Sequence, residues 1–159
     1  MDKKYSFAND NLIYERWLKA SAFLPSEKGK GFTVVIPPPN ITGILHIGHA
    51  YDNTLQDAVI RFQRMQGKAA LYFPGTDHAG VATQAKVDAR LKEQGTNRFE
   101  IGRTEFLKAA WDWKTEHEDT IRLQWQKMGL SLDYSRDLFS LDKGHSEIVA
   151  KRFIELYER

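Results

Sequence analysis

The sequence contains no cysteine, which excludes disulfides and cysteine-ligated zinc within its 159 residues. The absence of thiols agrees with a reducing compartment. An excess of one charge is also missing, because 23 basic and 21 acidic residues give a formal net charge of +2. The basic residues do not cluster, so composition alone does not indicate a nucleic-acid-binding surface.

Long hydrophobic runs are absent as well. Apolar segments such as 69–73 are far too short to cross a bilayer, and residues 1–7 carry charges without a following apolar stretch. We therefore expect a cytoplasmic protein with no membrane partner. At the other end, the amphipathic helical pattern of 153–157 stops at Arg159 without a cap, which predicts that the chain is a piece of a longer protein.

The hydrophobic pattern predicts an alternation of helices and strands. A hydrophobic content of 42% is enough to build a core. Apolar periodicity predicts strands over 32–36 and 69–73, and helices over 11–22, 46–66, 81–94, 104–128 and from Asp142 onward. The order strand, helix, strand predicts an α/β fold, the first half of a Rossmann-like doubly wound parallel sheet with long flanking helices and a right-handed crossover. The unbroken apolar run 69–73 is typical of a strand buried on both faces.

The first unusual motif lies at the start of the 46–66 helix. A stiff proline-rich turn over 37–43 precedes His46, Ile47, Gly48 and His49. A helix start presents unpaired N–H groups and a positive dipole end, and two histidines three residues apart can both meet an anion there. Gly48 costs about 1 kcal/mol relative to alanine inside a helix, which indicates that something such as a flat base approaches the backbone closely. Two alternatives to anion binding are that the histidines merely begin a helix, or that they are two zinc ligands, although zinc needs a third protein ligand.

The second motif, over 74–80, follows the second strand. An aspartate ahead of a helix, as Asp77 is here, is most simply an N-cap. His78 has the character of a hydrogen-bonded polar residue at the same helix start. Both motif loops leave the carboxyl ends of predicted parallel strands, where doubly wound sheets bind ligands.

These motifs resemble those of a known family. Residues 46–49 resemble the ATP-binding signature of class I aminoacyl-tRNA synthetases, and 37–43 resemble the version found in valine-specific members. The segment 74–84 is very similar to its counterpart in those members. Residues 129–137 and 139–142 also follow the family's pattern, with Tyr134 where tryptophan is usual, Asp137 where glutamate is usual and Ser140 where threonine is usual. The resemblance covers almost the whole chain and is weakest before residue 31.

The resemblance implies a reaction and a role for each motif residue. Valine attacks the α-phosphorus of ATP–Mg²⁺ to give valyl-adenylate, which is then transferred to tRNA(Val). It implies ATP binding by Pro39, Thr42, Gly43, His46, Gly48 and His49, with His46 and His49 also catalytic. It implies valine binding by Pro38, Asn40 and Asp77, with the Asp77 carboxylate paired to the α-amino group and no protein-bound metal.

Several parts of such an enzyme are missing from the sequence. The family's second ATP signature, Lys-Met-Ser-Lys-Ser, does not occur, and neither do the editing insertion, the second half of the nucleotide fold and the anticodon-binding region. The resemblance therefore implies a helical extension over 1–30 and the first half of the catalytic domain over 31–159, with weak or no complete activity. We expect self-association through the face where the missing half-sheet would pack.

Two other functions stay open at this point. One is a small adenylyltransferase of the same superfold, which also uses a His-x-Gly-His helix start but is not expected to carry residues 74–84. The other is a non-catalytic, synthetase-derived module that holds a partner or tRNA.

Overall fold

The computed structural model describes residues 9–159. The elements, in chain order, are α1 (Asp10–Lys19), β1 (Gly31–Val35), α2 (Ile47–Met65), β2 (Ala69–Phe73), β3 (Gly75–Thr76), α3 (Gly80–Glu93), α4 (Arg98–Lys127), β4 (Leu138–Phe139) and α5 (Lys143–Tyr157), with a 3₁₀ turn at Tyr134–Arg136. The predicted mixed α/β class is confirmed. The first eight residues of the predicted extension 1–30 lie outside the described residues.

The described residues divide into two compact units. Unit 1 comprises 9–36, His46–Pro74 and Arg122–Arg136, and unit 2 comprises Pro37–Leu45, Gly75–Ile121 and Asp137–Arg159. Helix α4 contributes residues to both units.

Unit 1 contains the predicted βαβ unit. Strands β1 and β2 pair in parallel from Gly31 opposite Ala69 to Val35 opposite Phe73. The ladder continues where the Ile36 N–H donates to the Phe73 carbonyl at 2.9 Å. Because the strands are parallel and in register, their carboxyl ends lie at the same edge of the sheet.

The expectation that 69–73 is buried on both faces is wrong. Ala70 and Tyr72 are 1% and 0% exposed, but the residues that alternate with them are only half-buried. The Tyr72 hydroxyl donates toward α2, to the Gln56 Oε1 atom at 3.0 Å, so α2 covers that face. Within residues 9–159 this sheet has two strands, and no second layer covers its other face as completely.

The helix ends agree closely with those that the sequence predicts. Helix α2 ends at Met65, and Gly67 then adopts the left-handed conformation at φ 77°, which glycine reaches without steric cost. Helix α4 is interrupted at Gly102, where φ is 77° and ψ is 172°. Its regular part therefore begins beyond that glycine, near the predicted start at Thr104.

A buried aspartate ties α2 to the turn that follows α4 in unit 1. Asp57 is 7% exposed, and its Oδ1 atom accepts hydrogen bonds from the Ser131 N–H at 2.8 Å and from the Ser131 hydroxyl. Its Oδ2 atom accepts from the Arg61 Nε at 2.6 Å, and Arg61 in turn donates to the Gly129 carbonyl at 2.6 Å. Arg64 adds a bond to the Ser131 carbonyl at 2.9 Å. The network holds residues 129–131 against the middle of α2.

Replacing Asp57 with Asn is expected to lower the free energy of unfolding by about 1.5–3 kcal/mol, the usual contribution of a hydrogen bond to a charged group. Asparagine removes the charge that pairs with Arg61. Its NH₂ group must also face a donor, either Arg61 Nε or the Ser131 N–H. Urea denaturation followed by circular dichroism measures the change. Asp52→Asn on the exposed face of α2 is the control, and equal stability of the two variants would contradict a structural role for this network.

Unit 2 has its own core, built from α3 and α4. Val87 and Leu91 of α3 pack with Phe106 and Trp113 of α4. The Trp113 indole N–H donates to the buried Ile41 carbonyl at 2.7 Å, which attaches the 37–45 segment to α4. Trp113 is therefore a core residue, and its hydrogen-bonded indole satisfies the polar atom that burial would otherwise leave unpaired.

None of the helices within 9–159 combines the length and the apolar character that a transmembrane span requires.

Candidate functional site

The two histidines of the first motif cap α2 reciprocally. His46 is the N-cap in extended conformation, and its Nδ1 atom accepts the Gly48 N–H at 3.1 Å. His49 returns the interaction, since its Nδ1 atom accepts the His46 N–H at 3.2 Å. The two rings lie 3.9 Å apart between centroids at an angle of 39°. This is the capping-box arrangement, here made by two imidazoles in unit 1.

The cap determines which ring nitrogens carry protons. A nitrogen that accepts a backbone N–H cannot itself be protonated, so in the neutral state each histidine carries its proton on Nε2. Both Nε2–H groups are then hydrogen-bond donors beside the positive end of the α2 dipole. Two donors at a helix start suit an anionic oxygen, such as that of a phosphate.

Neutral histidine is also the form that the surroundings favour at position 49. Burial lowers the pKa of His49, the positive charge of His46 lowers it further, and Asp52 opposes both effects. Protonation would in addition place a proton on Nδ1 and break the cap. A pKa below the unfolded value means that this histidine's contribution to stability is present above about pH 6.5 and is lost as the pH falls through the folded pKa.

We expect the His49 ring to titrate below the value of a histidine in an unfolded peptide, about 6.5. Replacing His46 with Asn should raise the His49 pKa part of the way, because it removes the neighbouring charge but leaves the burial. Ring ¹H–¹³C resonances followed over a pH series measure both effects. A His49 titration that is the same in the chain with His46 and in the variant would show that the two rings are electrostatically independent.

The structure supplies a reason for glycine at position 48 that is independent of the predicted approach of a base. A Cβ atom at this position would lie 2.9 Å from Cε1 and 3.0 Å from Nδ1 of the His46 ring. Real Cβ atoms are not found so near a ring atom, so glycine leaves the space that the capping imidazole occupies. The His46 ring is therefore a group that approaches the Gly48 backbone closely.

The backbone of Asp77, in the second motif, is hydrogen-bonded to the segment 37–45. Its N–H donates to the Pro39 carbonyl at 2.9 Å, and its carbonyl accepts the Ile41 N–H at 3.0 Å. These bonds form an isolated parallel bridge between Asn40 and Asp77. Two predicted valine-binding residues, Asn40 and Asp77, are thus brought together in unit 2.

Asp77 is not an N-cap, so that interpretation is wrong. The N-cap of α3 is Ala79, in the left-handed conformation at φ 45° and ψ 29° and without a side-chain cap. Such a conformation is unusual for a residue other than glycine and concentrates at functional sites.

The carboxylate of Asp77 makes its contacts with the residue that follows β4. The Ser140 hydroxyl donates to Asp77 Oδ1 at 2.7 Å, and the His78 Nδ1 atom lies 3.2 Å from the same oxygen. The Asp77 side chain is 35% exposed, so solvent and ligands can reach it. His78 is hydrogen-bonded through its backbone N–H to Ser140 at 2.9 Å and through its carbonyl to Thr83 at 2.6 Å, as expected of a satisfied polar residue.

The remaining predicted site residues all lie in the 37–45 segment of unit 2. Pro39 is buried, and its carbonyl is occupied by Asp77. Pro38 and Asn40 are exposed, and Thr42 and Gly43 are half-buried. Sequence reasoning noted Ser140 only as a departure from a family pattern. Its contact with Asp77 depends on strand pairing that residue spacing does not reveal.

Comparison with known proteins places this fold and these motifs in a class. The family description "tRNA synthetases class I (I, L, M and V)" matches residues 12–159. The chain belongs to this family of class I synthetases. Membership favours a synthetase-derived chain over the small adenylyltransferase alternative.

Two similar proteins are both valine–tRNA ligases. The chain is 58% identical over 148 residues to the valine–tRNA ligases of Staphylococcus aureus strains JH9 and Newman. The match covers 92% of this chain but 17% of each relative, so the chain spans about a sixth of their length.

A solved structure supports the fold. The LeuRS of Agrobacterium radiobacter K84, crystallised in a ternary complex with tRNA and LeuAMS, superimposes with a TM-score of 0.78 at 20% identity. The match covers 98% of this chain and 18% of the LeuRS chain.

Proposed function

We propose that this chain is the ATP- and valine-binding first half of the catalytic domain of a valine–tRNA ligase. Residues 31–159 would form that half, preceded by the extension 1–30. The observation that carries the proposal is the reciprocal cap of His46 and His49, because it occupies both Nδ1 atoms and leaves two Nε2–H donors at the start of α2. The 58% identity to valine–tRNA ligases supports valine as the amino acid.

The reaction assigned to the site is formation of valyl-adenylate. A carboxylate oxygen of valine attacks the α-phosphorus of ATP, the new O–P bond forms, and pyrophosphate leaves with the electrons of the broken P–O bond. The reaction needs no protein nucleophile. It depends on positioning and on stabilising charge that develops on phosphate oxygens.

Each motif residue has a role in this reaction. The Nε2–H groups of His46 and His49 donate to phosphate oxygens of ATP–Mg²⁺, and the start of α2 adds its dipole. Gly48 leaves room for the ring that makes this possible. Pro39, Thr42 and Gly43 are the other residues that we propose for ATP binding, and they lie in unit 2.

The amino-acid side of the proposal rests on unit 2. The Asp77 carboxylate pairs with the α-ammonium group of valine, a charge-assisted hydrogen bond of the stronger kind. The exposed residues Pro38 and Asn40 line the pocket for the side chain of valine. Transfer of the valyl group to tRNA(Val) belongs to the longer ligase.

Valine-dependent exchange of labelled pyrophosphate into ATP tests the proposal. Exchange that depends on valine and resists competition by isoleucine would support adenylate chemistry in this half alone. Binding of ATP and valine without exchange would assign recognition to this half and chemistry to the longer ligase. Failure to bind either ligand would favour the alternative of a non-catalytic module.

Self-association through the uncovered side of the β1–β2 sheet is a separate part of the proposal. Val35 at the end of β1 is 63% exposed, which is unusual for valine in a parallel strand. Sedimentation velocity over a range of concentrations tests it, and a concentration-independent monomer would contradict it.

A further inference from the structure

The hydroxyl of Ser140 makes three polar contacts in unit 2. The His78 backbone N–H lies 2.9 Å from Ser140 Oγ, the His78 Nδ1 atom 2.6 Å, and the Asp77 Oδ1 atom 2.7 Å. A serine hydroxyl has one proton to donate and two lone pairs to accept with. Each of the three contacts must therefore be assigned a direction that fits this inventory.

The chemistry of the partners leaves one consistent assignment. A backbone N–H can only donate, so it uses one lone pair of Ser140. An ionised carboxylate can only accept, so the single Ser140 proton points to Asp77 Oδ1. The contact with the His78 ring must then use the second lone pair, which requires a proton on His78 Nδ1. The hydrogen bonds run from His78 through Ser140 to Asp77.

The pairing of two short strands positions the residues of this hydrogen-bond relay, which comprises His78, Ser140 and Asp77. Strands β3 and β4 pair in parallel with Gly75 opposite Leu138 and Thr76 opposite Phe139. The Ser140 N–H extends the ladder by donating to the Thr76 carbonyl at 3.0 Å, so Ser140 follows β4 as Asp77 follows β3. The pairing is close, because a Cβ atom at Gly75 would lie 3.1 Å from the Leu138 carbonyl oxygen.

The two oxygens of Asp77 are consequently unequal. Oδ1 receives the Ser140 hydroxyl at 2.7 Å and lies 3.2 Å from His78 Nδ1. Among residues 9–159, no hydrogen bond or ion pair is directed at Oδ2. With Oδ1 anchored, the carboxylate plane is set and Oδ2 is the oxygen left to meet a cationic ligand. A ligand finds such a group already oriented, and less conformational freedom is lost on binding.

We propose that Ser140 is a positioning residue for amino-acid recognition: it anchors Asp77 Oδ1 so that Oδ2 receives the α-ammonium group, and it keeps neutral His78 protonated on Nδ1. The inference rests on the proposed function, since it specifies how Asp77 would bind valine. Ser140 itself does not touch the ligand. It acts through the orientation of Asp77.

The order of the hydrogen bonds can be tested without any ligand. Long-range ¹H–¹⁵N correlation spectra of the chain at about pH 9, where imidazoles are neutral, distinguish a protonated from an unprotonated ring nitrogen. The expected result for His78 is a protonated Nδ1 and an unprotonated Nε2. A His78 ring protonated on Nε2 would overturn the relay, because Ser140 could then not donate to Asp77.

The positioning role is tested by valine binding to Ser140→Ala and Ser140→Thr, measured by calorimetry. Ser140→Ala should weaken valine binding about tenfold, a typical result of losing one hydrogen bond to a charged group. Ser140→Thr retains the hydroxyl and should bind valine as the unchanged chain does. The affinity for 3-methylbutanoate, which is valine without its amino group, should be the same in all three.

The outcomes separate this inference from the proposed function. Valine binding that is lost in Asp77→Asn but unchanged in Ser140→Ala would overturn the positioning role and leave the proposed function standing. No valine binding by the unchanged chain would overturn the proposed function and the positioning role together. Loss of valine binding in Ser140→Thr as well as Ser140→Ala, with both variants folded by circular dichroism, would show that the site needs the serine for its size and would also overturn the inference.

Discussion

The double substitution His46→Asn and His49→Asn is expected to weaken ATP binding about a hundredfold or more while α2 remains capped. An asparagine side-chain oxygen can replace an imidazole Nδ1 as an acceptor, and asparagine is among the best N-cap residues. It does not reach as far as Nε2, so both donors to phosphate are lost. Each hydrogen bond to a charged group contributes about 1.5–3 kcal/mol, and 1.4 kcal/mol corresponds to a factor of ten in affinity.

Glutamine at the same positions is the matched control for this experiment. Its terminal amide lies near the place of Nε2, but it has no acceptor at the place of Nδ1. Glutamine variants should therefore lose about 1 kcal/mol of stability through the missing cap and retain more of the ATP affinity than the asparagine variants. Calorimetric titration with ATP and thermal unfolding measure the two effects. If the asparagine pair binds ATP like the unchanged chain, the phosphates are held by backbone N–H groups alone.

Replacing Asp77 with Asn is expected to reduce valine affinity about ten- to hundredfold, because a charge-assisted contact with the α-ammonium group becomes a neutral one. The amide has nearly the same shape, and its oxygen can still accept the Ser140 hydroxyl that is 2.7 Å from Oδ1 in the structure. The effect should therefore come from charge and not from a disturbed fold.

A ligand without the amino group shows how much of the valine affinity comes from the contact between the Asp77 charge and the α-ammonium group. The affinity for 3-methylbutanoate should be unchanged in Asp77→Asn, so the difference between valine and this analogue should largely disappear. Asp112→Asn, an exposed position on α4 in the same unit, should alter neither affinity. An equal loss for both ligands would show that Asp77 shapes the site and does not read the ammonium group.

Local signals in the sequence were enough to predict most elements. The strand over 69–73 is found with the same bounds, and the helix over 46–66 differs by one residue at each end. These predictions succeeded because apolar periodicity and a left-handed glycine at a helix end act over a few residues. The family resemblance, too, was readable from short motifs, and the match over residues 12–159 confirms it.

Errors arose where the layers around a strand or the conformation of a turn decided the outcome, because residue type alone determines neither. Burial of a strand on both faces requires layers that sequence order does not specify, and within 9–159 the β1–β2 sheet is covered well on one face only. Asp77 has the residue type and place of an N-cap. The left-handed turn at Ala79 excludes it from that role, and the contact with Ser140 occupies its side chain instead.

The sequence by itself determined the class of protein, the α/β order and the candidate site residues. Helix periodicity, turn residues and short motifs involve neighbours along the chain, so they can be read without a structure. Folding decided the state of those residues, through the start of α2 for the two histidines and through the tertiary pairing of two strands for Asp77. The reciprocal cap assigns the protons of His46 and His49 to Nε2, and the pairing of β3 with β4 brings Ser140 to Asp77 across 63 residues of sequence. Protonation and orientation are set by hydrogen-bond partners within about 3 Å, and for residues distant in sequence those partners exist only after the chain has folded.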